Sequence, residues 1–234
     1  MMLKISNLSS GYGKLKVLND ISLEIESGSV GLFGPNGAGK TTLINTILGL
    51  VAAQNGELSF EGQDITKLPT HKRVHLGISV VPQERELFPA LSVYDNLILG
   101  GTNIPRARGN VAVNLEKVYT FFPILKDRGN QMAGTMSGGQ QRMLAVGRAL
   151  MAEPRLLILD EPSLGLQPSI VHDLFNILIE MKKDVRILVT EQNVRESLRA
   201  VDRGYVMDNG NIVIQGTAEE LANNPEVEKA YLGL

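Results

Sequence analysis

The chain contains no cysteine. That excludes a disulfide framework and any thiolate metal site, and it suits a reducing compartment. A surplus of either charge is also missing: 23 Lys and Arg against 25 Asp and Glu leave a formal net charge of −2 at pH 7. No global positive field therefore points to nucleic acid. The opening "MMLKISNLSS" lacks the long apolar run of a signal peptide. The longest uncharged apolar stretch, "TTLINTILGLVA" from Thr41, is too short and too polar to span a bilayer and reads as a buried helix. Internal repeats and low-complexity segments are absent as well. What remains is a chain of 234 residues, 43% hydrophobic and 21% charged, as in soluble globular proteins. Its length allows one large domain or two small ones.

The first third is rich in strands. "LKISNLS" and "VLNDISLEIE" alternate apolar and polar residues with period two, as half-buried antiparallel strands do. "SVGLF" is a continuous apolar run leading into a glycine loop, the pattern of a strand buried on both faces. "GELSFEGQDI" gives another strand between Gly56 and Gly62, and "GISVVPQ" a second buried one closed by Pro82. From Phe88 to Pro154 the texture turns helical. "SVYDNLILG" opens on a Ser92 cap, "VNLEKVYTFF" puts Leu115, Val118 and Phe122 on one face, and "GGQQRMLAVGRALM" does the same with Met143, Val146, Ala149 and Leu150. "GTNIPRARGN" between the first two is a loop by composition.

After Pro154 a strand–helix rhythm returns: "RLLILDEP", then the amphipathic "SIVHDLFNILIEMKK", then "VRILVTEQ". "GYVMDNGNIVIQG" is a hairpin about Asn209-Gly210, and "AEELANNPEVEKAYLGL" reads as two short helices. Parallel strands alternating with helices imply a doubly wound α/β core. The expected organisation is one domain over 1–234. Residues 1–87 and 155–234 form the core with a β subdomain, and 88–154 an inserted helical subdomain.

Two stretches carry phosphate chemistry. Gly34, Pro35, Asn36, Gly37, Ala38, Gly39, Lys40 and Thr41, followed by Thr42, fit G-x-x-x-x-G-K-[ST] between a buried strand and a helix. Glycines there let backbone N–H groups and the helix dipole face a β-phosphate. Lys40 reaches the β/γ oxygens and the Thr41 hydroxyl is a Mg²⁺ ligand. In "LLILDEP", Asp160 ends a buried strand at the carboxyl edge of the sheet, placed to hold magnesium through water. Glu161, facing the other way along the strand end, is placed to polarise the attacking water. The alternative for one of the two carboxylates is capping of the turn before Pro162. "MSGGQQRM" is the second anion site, with two glycines at the head of a long helix.

"GPNGAGKTT", "VPQ", "MSGGQQRMLAVGRAL" and "LLILDEPSLGLQP", in this order and spacing, resemble the ATP-binding cassette (ABC) ATPases over essentially the whole chain. The resemblance implies a P-loop NTPase (RecA-like) core with an N-terminal antiparallel β subdomain and an inserted α-helical subdomain. It implies ATP and Mg²⁺ as ligands, sandwiched between two subunits packed head to tail. In that arrangement Ser137, Gly138, Gly139 and Gln140 close on the γ-phosphate of the ATP held by the partner's P-loop. Such a site is complete only in the closed dimer, which ATP then stabilises by selective binding.

By the same resemblance Tyr12 stacks on adenine, the alternative being a core aromatic. Gln83 senses magnesium and the attacking water. Leu87, Phe88 and Leu91 are candidates for docking a membrane subunit, or equally for packing within the helical part. Two positions depart from the family pattern. Ser163-Leu164-Gly165-Leu166 stands where Ser-Ala-Leu-Asp is usual, so Leu166 occupies the aspartate position. Gln192 in "LVTEQN" stands in place of the switch histidine; it can donate a hydrogen bond to the γ-phosphate but cannot take up a proton.

"GTMSGGQQRMLAVGRALM", "DEPSLGLQP", "EQN", "DRGYVM" and "AYLGL" narrow the likeness to the LivF type, one of two ATPases of branched-chain amino-acid importers. That implies a second ATPase (as homo- or heterodimer), two transmembrane permeases and, indirectly, an external solute-binding protein. It places the chain peripherally at the cytoplasmic face of the plasma membrane. Related urea or amide importers are the near alternative. A soluble ABC ATPase acting on DNA or ribosomes is the distant one. It is disfavoured by the short P-loop-to-signature spacing, the single cassette and the slightly negative charge. A non-hydrolysing nucleotide binder would rest on Gln192 and Leu166, and Glu161 argues against it. His71 and His75 lie four apart, as metal ligands can on one helix face, but a solvated basic face is the better account; His172 stands alone.

Overall fold

In a computed structural model, residues 1–192 and 194–228 are described. Asn193 of "EQN" and the ending "AYLGL" lie outside them. The chain opens with β1 (Leu3–Tyr12), β2 (Leu15–Ile25) and β3 (Ser29–Phe33), then α1 (Lys40–Leu48), β4 (Ala53–Phe60), β5 (Gln63–Asp64), α2 (Thr70–Leu76) and β6 (Ile78–Val81). Four helices follow: α3 (Val93–Thr102), α4 (Val111–Phe121), α5 (Pro123–Asp127) and α6 (Gly138–Leu150). The remainder is β7 (Leu156–Asp160), α7 (Pro168–Met181), β8 (Arg186–Glu191), α8 (Val194–Leu198), β9 (Arg203–Asp208), β10 (Asn211–Thr217), α9 (Ala218–Ala222) and α10 (Pro225–Val227).

Two sheets result. One is antiparallel, in the order β2-β1-β4-β5; the other runs β10-β9-β3-β8-β7-β6. In the second, β6, β7, β8, β3 and β9 are parallel neighbours and β10 closes one edge antiparallel to β9. Its inner strands read as unbroken apolar runs because both faces are covered. On β7, Leu156 and Ile158 join a core shared with β1, β2, β4 and α1, whereas Leu157 and Leu159 join the core under α3, α4, α6 and α7. The period-two alternation thus divides one apolar strand between two layers.

Local signals account for several boundaries. Ser92 caps α3, accepting from the Asp95 amide at 3.0 Å. The two-residue loop Asn209-Gly210, with φ of 45° and 76°, turns β9 into β10. On α2, His71 and His75 are exposed, as a solvated face requires, whereas Arg73 on the opposite side is buried and donates to the carbonyls of Thr46, Ile47, Thr66 and Leu68. It thereby satisfies carbonyls at the end of α1. His172 Nδ1 lies 3.0 Å from Arg199 Nη1 and 3.6 Å from Glu196 Oε2. Among the described residues no cluster of His, Cys, Asp and Glu could hold a metal ion, and no helix is long and apolar enough to cross a membrane.

Candidate nucleotide site

The register of the parallel sheet assembles the site. Phe33 of β3 pairs with Glu191 of β8, and Asp160 of β7 pairs with Thr190 of β8. Three adjacent strands therefore end level, and each hands its chain to a chemically active loop at the carboxyl edge where open α/β sheets bind ligands.

The loop after β3 needs its glycines. Gly34 has φ 150° and Gly39 φ 106°. A Cβ on Gly34 would strike the Met207 carbonyl, and one on Gly39 would meet Leu18 Cδ2 at 2.9 Å. Gly39 caps α1 in the left-handed conformation without a side-chain hydrogen bond, and no acidic residue lies in the first turn. The first-turn N–H groups of α1 are thus left for an anion. Asn36 and Gly37 are exposed, Pro35 is half-buried, and Ala38 is buried beneath them.

Lys40 is 4% exposed, and its ammonium is fully engaged: Gly34 O at 2.7 Å, Pro35 O at 3.1 Å and Glu161 Oε1 at 3.0 Å. The Thr41 hydroxyl donates to Asp160 Oδ2 at 3.0 Å. Thr42 is buried and its carbonyl accepts from Thr46 Oγ1. Both carboxylates of "LLILDEP" thus meet successive residues of the glycine loop, against the expectation that Glu161 faces the other way. The reason is the backbone: β7 ends at Asp160 and Glu161 takes φ 44°, which breaks the strand alternation.

Three participants escaped the sequence reading. Thr190 donates to Asp160 Oδ1 at 2.6 Å, while its Oγ1 accepts from the Glu161 amide at 3.0 Å. Glu191 accepts from the Ser163 amide at 2.9 Å and the Ser163 hydroxyl at 2.8 Å. Burial pushes the Glu191 carboxyl up to about 7 against the pull of its Ser163 hydrogen bonds, and the neighbouring Glu161 charge acts in the same direction as burial. Arg142 of α6 is 2% exposed and donates to the carbonyls of Pro82 at 2.9 Å and Gln83 at 2.8 Å. A polar residue within a buried apolar run was the available signal for Thr190 and Glu191.

The remaining candidates lie outside this cluster. Tyr12, at the end of β1, is 51% exposed. Gln83 and Gln192 are exposed, and among the described residues the Gln83 carboxamide makes no hydrogen bond to Thr41 or Asp160. Ser137 caps α6 in a reciprocal box: its hydroxyl accepts from the Gln140 amide, and Gln140 Oε1 accepts from the Ser137 amide at 3.1 Å. Gly138 faces the Arg85 guanidinium, which a Cβ would approach to 3.1 Å, and Gly139 packs on Ile170. In the loop after Ser163, Leu164 is 48% exposed and Leu166 packs partly buried against the helical core.

The glycine loop, its buried lysine and the paired carboxylates form an arrangement able to hold a nucleoside triphosphate and activate water. The family model described as "ABC transporter" matches residues 18–164. The "High-affinity branched-chain amino acid transport ATP-binding protein BraG" of Pseudomonas aeruginosa is 44% identical, over 99% of this chain and 100% of its own length. The "Lipopolysaccharide export system ATP-binding protein LptB" of Haemophilus influenzae is 37% identical over 99% of this chain and 97% of its own. Among solved structures, the ADP conformation of MJ1267, "an ATP-binding cassette of an ABC transporter", superposes with a TM-score of 0.87 at 30% identity, covering 100% of this chain and 99% of that one. Matching both in family model and in fold, this chain belongs to the ABC transporter family and is one of its ATP-binding, ATP-hydrolysing subunits.

Proposed function

We propose that this chain is a LivF-type ATPase that drives uptake of a small solute, branched-chain amino acids by preference, through a pair of membrane permeases. The observation that carries the catalytic part is the convergence of Lys40 and Thr41, at the start of α1, on Asp160 and Glu161, at the end of β7. The solute class rests on the 44% identity to the branched-chain amino-acid protein of P. aeruginosa, against 37% to the lipopolysaccharide-export protein of H. influenzae.

In this reading Lys40 leaves the carbonyls of its own loop for the β/γ oxygens of ATP, while the amides at the start of α1 surround the β-phosphate. Thr41 and Asp160 offer a hydroxyl and a carboxylate oxygen 3.0 Å apart, hard donors that suit Mg²⁺. When bound with ATP, the ion would neutralise the negative charge that develops on the phosphates. Lys40's move releases Glu161, whose carboxylate then accepts the proton of the attacking water. Gln83 and Gln192, both exposed, would serve as hydrogen-bonding groups toward the γ-phosphate and its water, and Tyr12 is available to stack on adenine. The capped start of α6, with Ser137, Gly138, Gly139 and Gln140, faces the γ-phosphate held by a second ATPase subunit. The chain works at the cytoplasmic face of the membrane as one domain, with 88–154 as the helical insertion.

Two measurements test this. Gly138→Leu is expected to leave ATP affinity of the isolated chain within about twofold, because the residue it meets is the flexible end of Arg85. Hydrolysis and ATP-dependent dimerisation are expected to vanish; loss of nucleotide binding instead would assign the α6 loop to the wrong phosphate. Affinity purification from native membranes is expected to recover two permeases and a second ATPase, whereas ribosomal or DNA-bound material would overturn the importer reading.

A further inference from the structure

We propose that Glu191 is a positioning residue of the hydrolytic site: it clamps the turn Glu161-Pro162-Ser163 to the end of β8 and so fixes the Glu161 carboxylate against the phosphate loop. The proposal rests on the assignment of Glu161 as the group that activates water.

The turn does not hold itself. Glu161 sits at φ 44°, in the left-handed region that is disfavoured for a residue carrying a Cβ. Pro162 adds to this, because a proline favours extended backbone at negative φ in the residue before it. Something outside the turn must therefore impose the shape that carries the Glu161 carboxylate to Lys40. Two successive residues of β8 do so. Thr190 takes the Glu161 amide on its carbonyl at 3.1 Å and on its hydroxyl at 3.0 Å. Glu191 takes Ser163, two residues on, at both carboxylate oxygens, through amide and hydroxyl. The strained residue is thus pinned on both sides.

Glu191 is a costly way to fill its position. It is 2% exposed, and Ile187, Leu188 and Val189 of the same strand are buried apolar residues. Glu161 faces it as a like charge, and the charged groups near this corner include Asp160, Arg142 and Lys40, which is paired with Glu161. A buried carboxylate in such surroundings is tolerated only if its oxygens are well partnered, and here Ser163 and the Gln192 amide partner them. The same carboxylate thus ties the hydrolytic turn to the backbone of Gln192. An apolar residue would pack there at lower cost but would leave Ser163 unheld.

The test uses the full-length chain and compares E191A, E191Q, S163A and the double variant S163A/E191A. Read-outs are kcat and KM for Mg-ATP hydrolysis, ADP affinity and melting temperature. E191A is expected to lower kcat about tenfold or more, since a displaced catalytic group can cost about 10²-fold, with ADP affinity not reduced. E191Q is expected to restore kcat to within about threefold, because a carboxamide can accept from the Ser163 amide and donate to its hydroxyl. The double variant is expected to be no worse than E191A, as for two residues acting through one contact. Wild-type kcat in E191A, an E191Q as inactive as E191A, or a parallel loss of ADP affinity would each overturn the proposal. If E191A does not fold, S163A decides: a severalfold lower kcat at undiminished ADP affinity supports the clamp, and an unchanged kcat overturns it. An E161Q control separates the two levels. Retained hydrolysis in E161Q removes the assignment of Glu161 itself, while an inactive E161Q beside a normal E191A removes only the clamp.

Discussion

Glu161→Gln is expected to abolish turnover and, at the same time, to tighten nucleotide binding. The first effect is the loss of a general base, about 10²–10⁴-fold in rate. The second comes from the resting state. Lys40 and Glu161 form an ion pair 3.0 Å long with both side chains buried, so a nucleotide must compete with the carboxylate for the lysine. Glutamine keeps the shape and removes the charge, and the competition weakens. ADP affinity is expected to rise about tenfold, equivalent to about 1.4 kcal/mol. ADP is the informative ligand because it reports binding without hydrolysis. With Mg-ATP and the partner ATPase the variant is expected to elute as a stable dimer. Hydrolysis at the wild-type rate would remove Glu161 from catalysis. Unchanged ADP affinity would show that the ion pair does not oppose nucleotide entry.

Lys40→Ala is expected to act on binding and on folding through different partners. The lost contact to the β/γ oxygens lowers ATP affinity about 100-fold, about 2.7 kcal/mol. Removing one member of a buried pair also strands the other, at about 3–5 kcal/mol. In a domain of this size each kcal/mol moves the melting temperature about 2–4 °C, so the variant is expected to melt about 10 °C low. Combining the two substitutions separates the effects. Lys40→Ala with Glu161→Gln is expected to recover most of the melting temperature and none of the ATP affinity. A double variant as unstable as the single one would mean that Glu161 is not what the lysine neutralises.

What the sequence reveals and what it hides follow from the range of the contacts. The P-loop, the Ser92 and Ser137 caps and the Asn209-Gly210 hairpin depend on neighbours a few residues away, so their composition is enough. The two-sheet arrangement follows from alternating and continuous apolar runs, which report how many faces of a strand are covered. The direction of the Glu161 side chain was not legible, because its left-handed backbone is held by Thr190 and Glu191 about thirty positions away. Arg142 is one polar residue in a helical stretch, and its burial depends on carbonyls of Pro82 and Gln83, about sixty positions earlier. Arg73 was hidden in the same way inside a helix whose other cations are exposed. Buried polar groups are defined by distant partners, and composition does not name those partners.

The hairpin between β9 and β10 has a consequence for how lesions in this chain would be read. The Met207 carbonyl lies where a Gly34 side chain would go, the Gly210 amide donates to the Ala38 carbonyl at 3.0 Å, and the Gly210 carbonyl accepts from the Asn19 amide at 2.8 Å. A surface turn near the far end of the chain is therefore the anvil on which the glycine loop is shaped. A side chain at Gly210 would collide with the Val17 carbonyl and displace that anvil. Its phenotype would be weakened nucleotide affinity, from a residue that never meets the nucleotide.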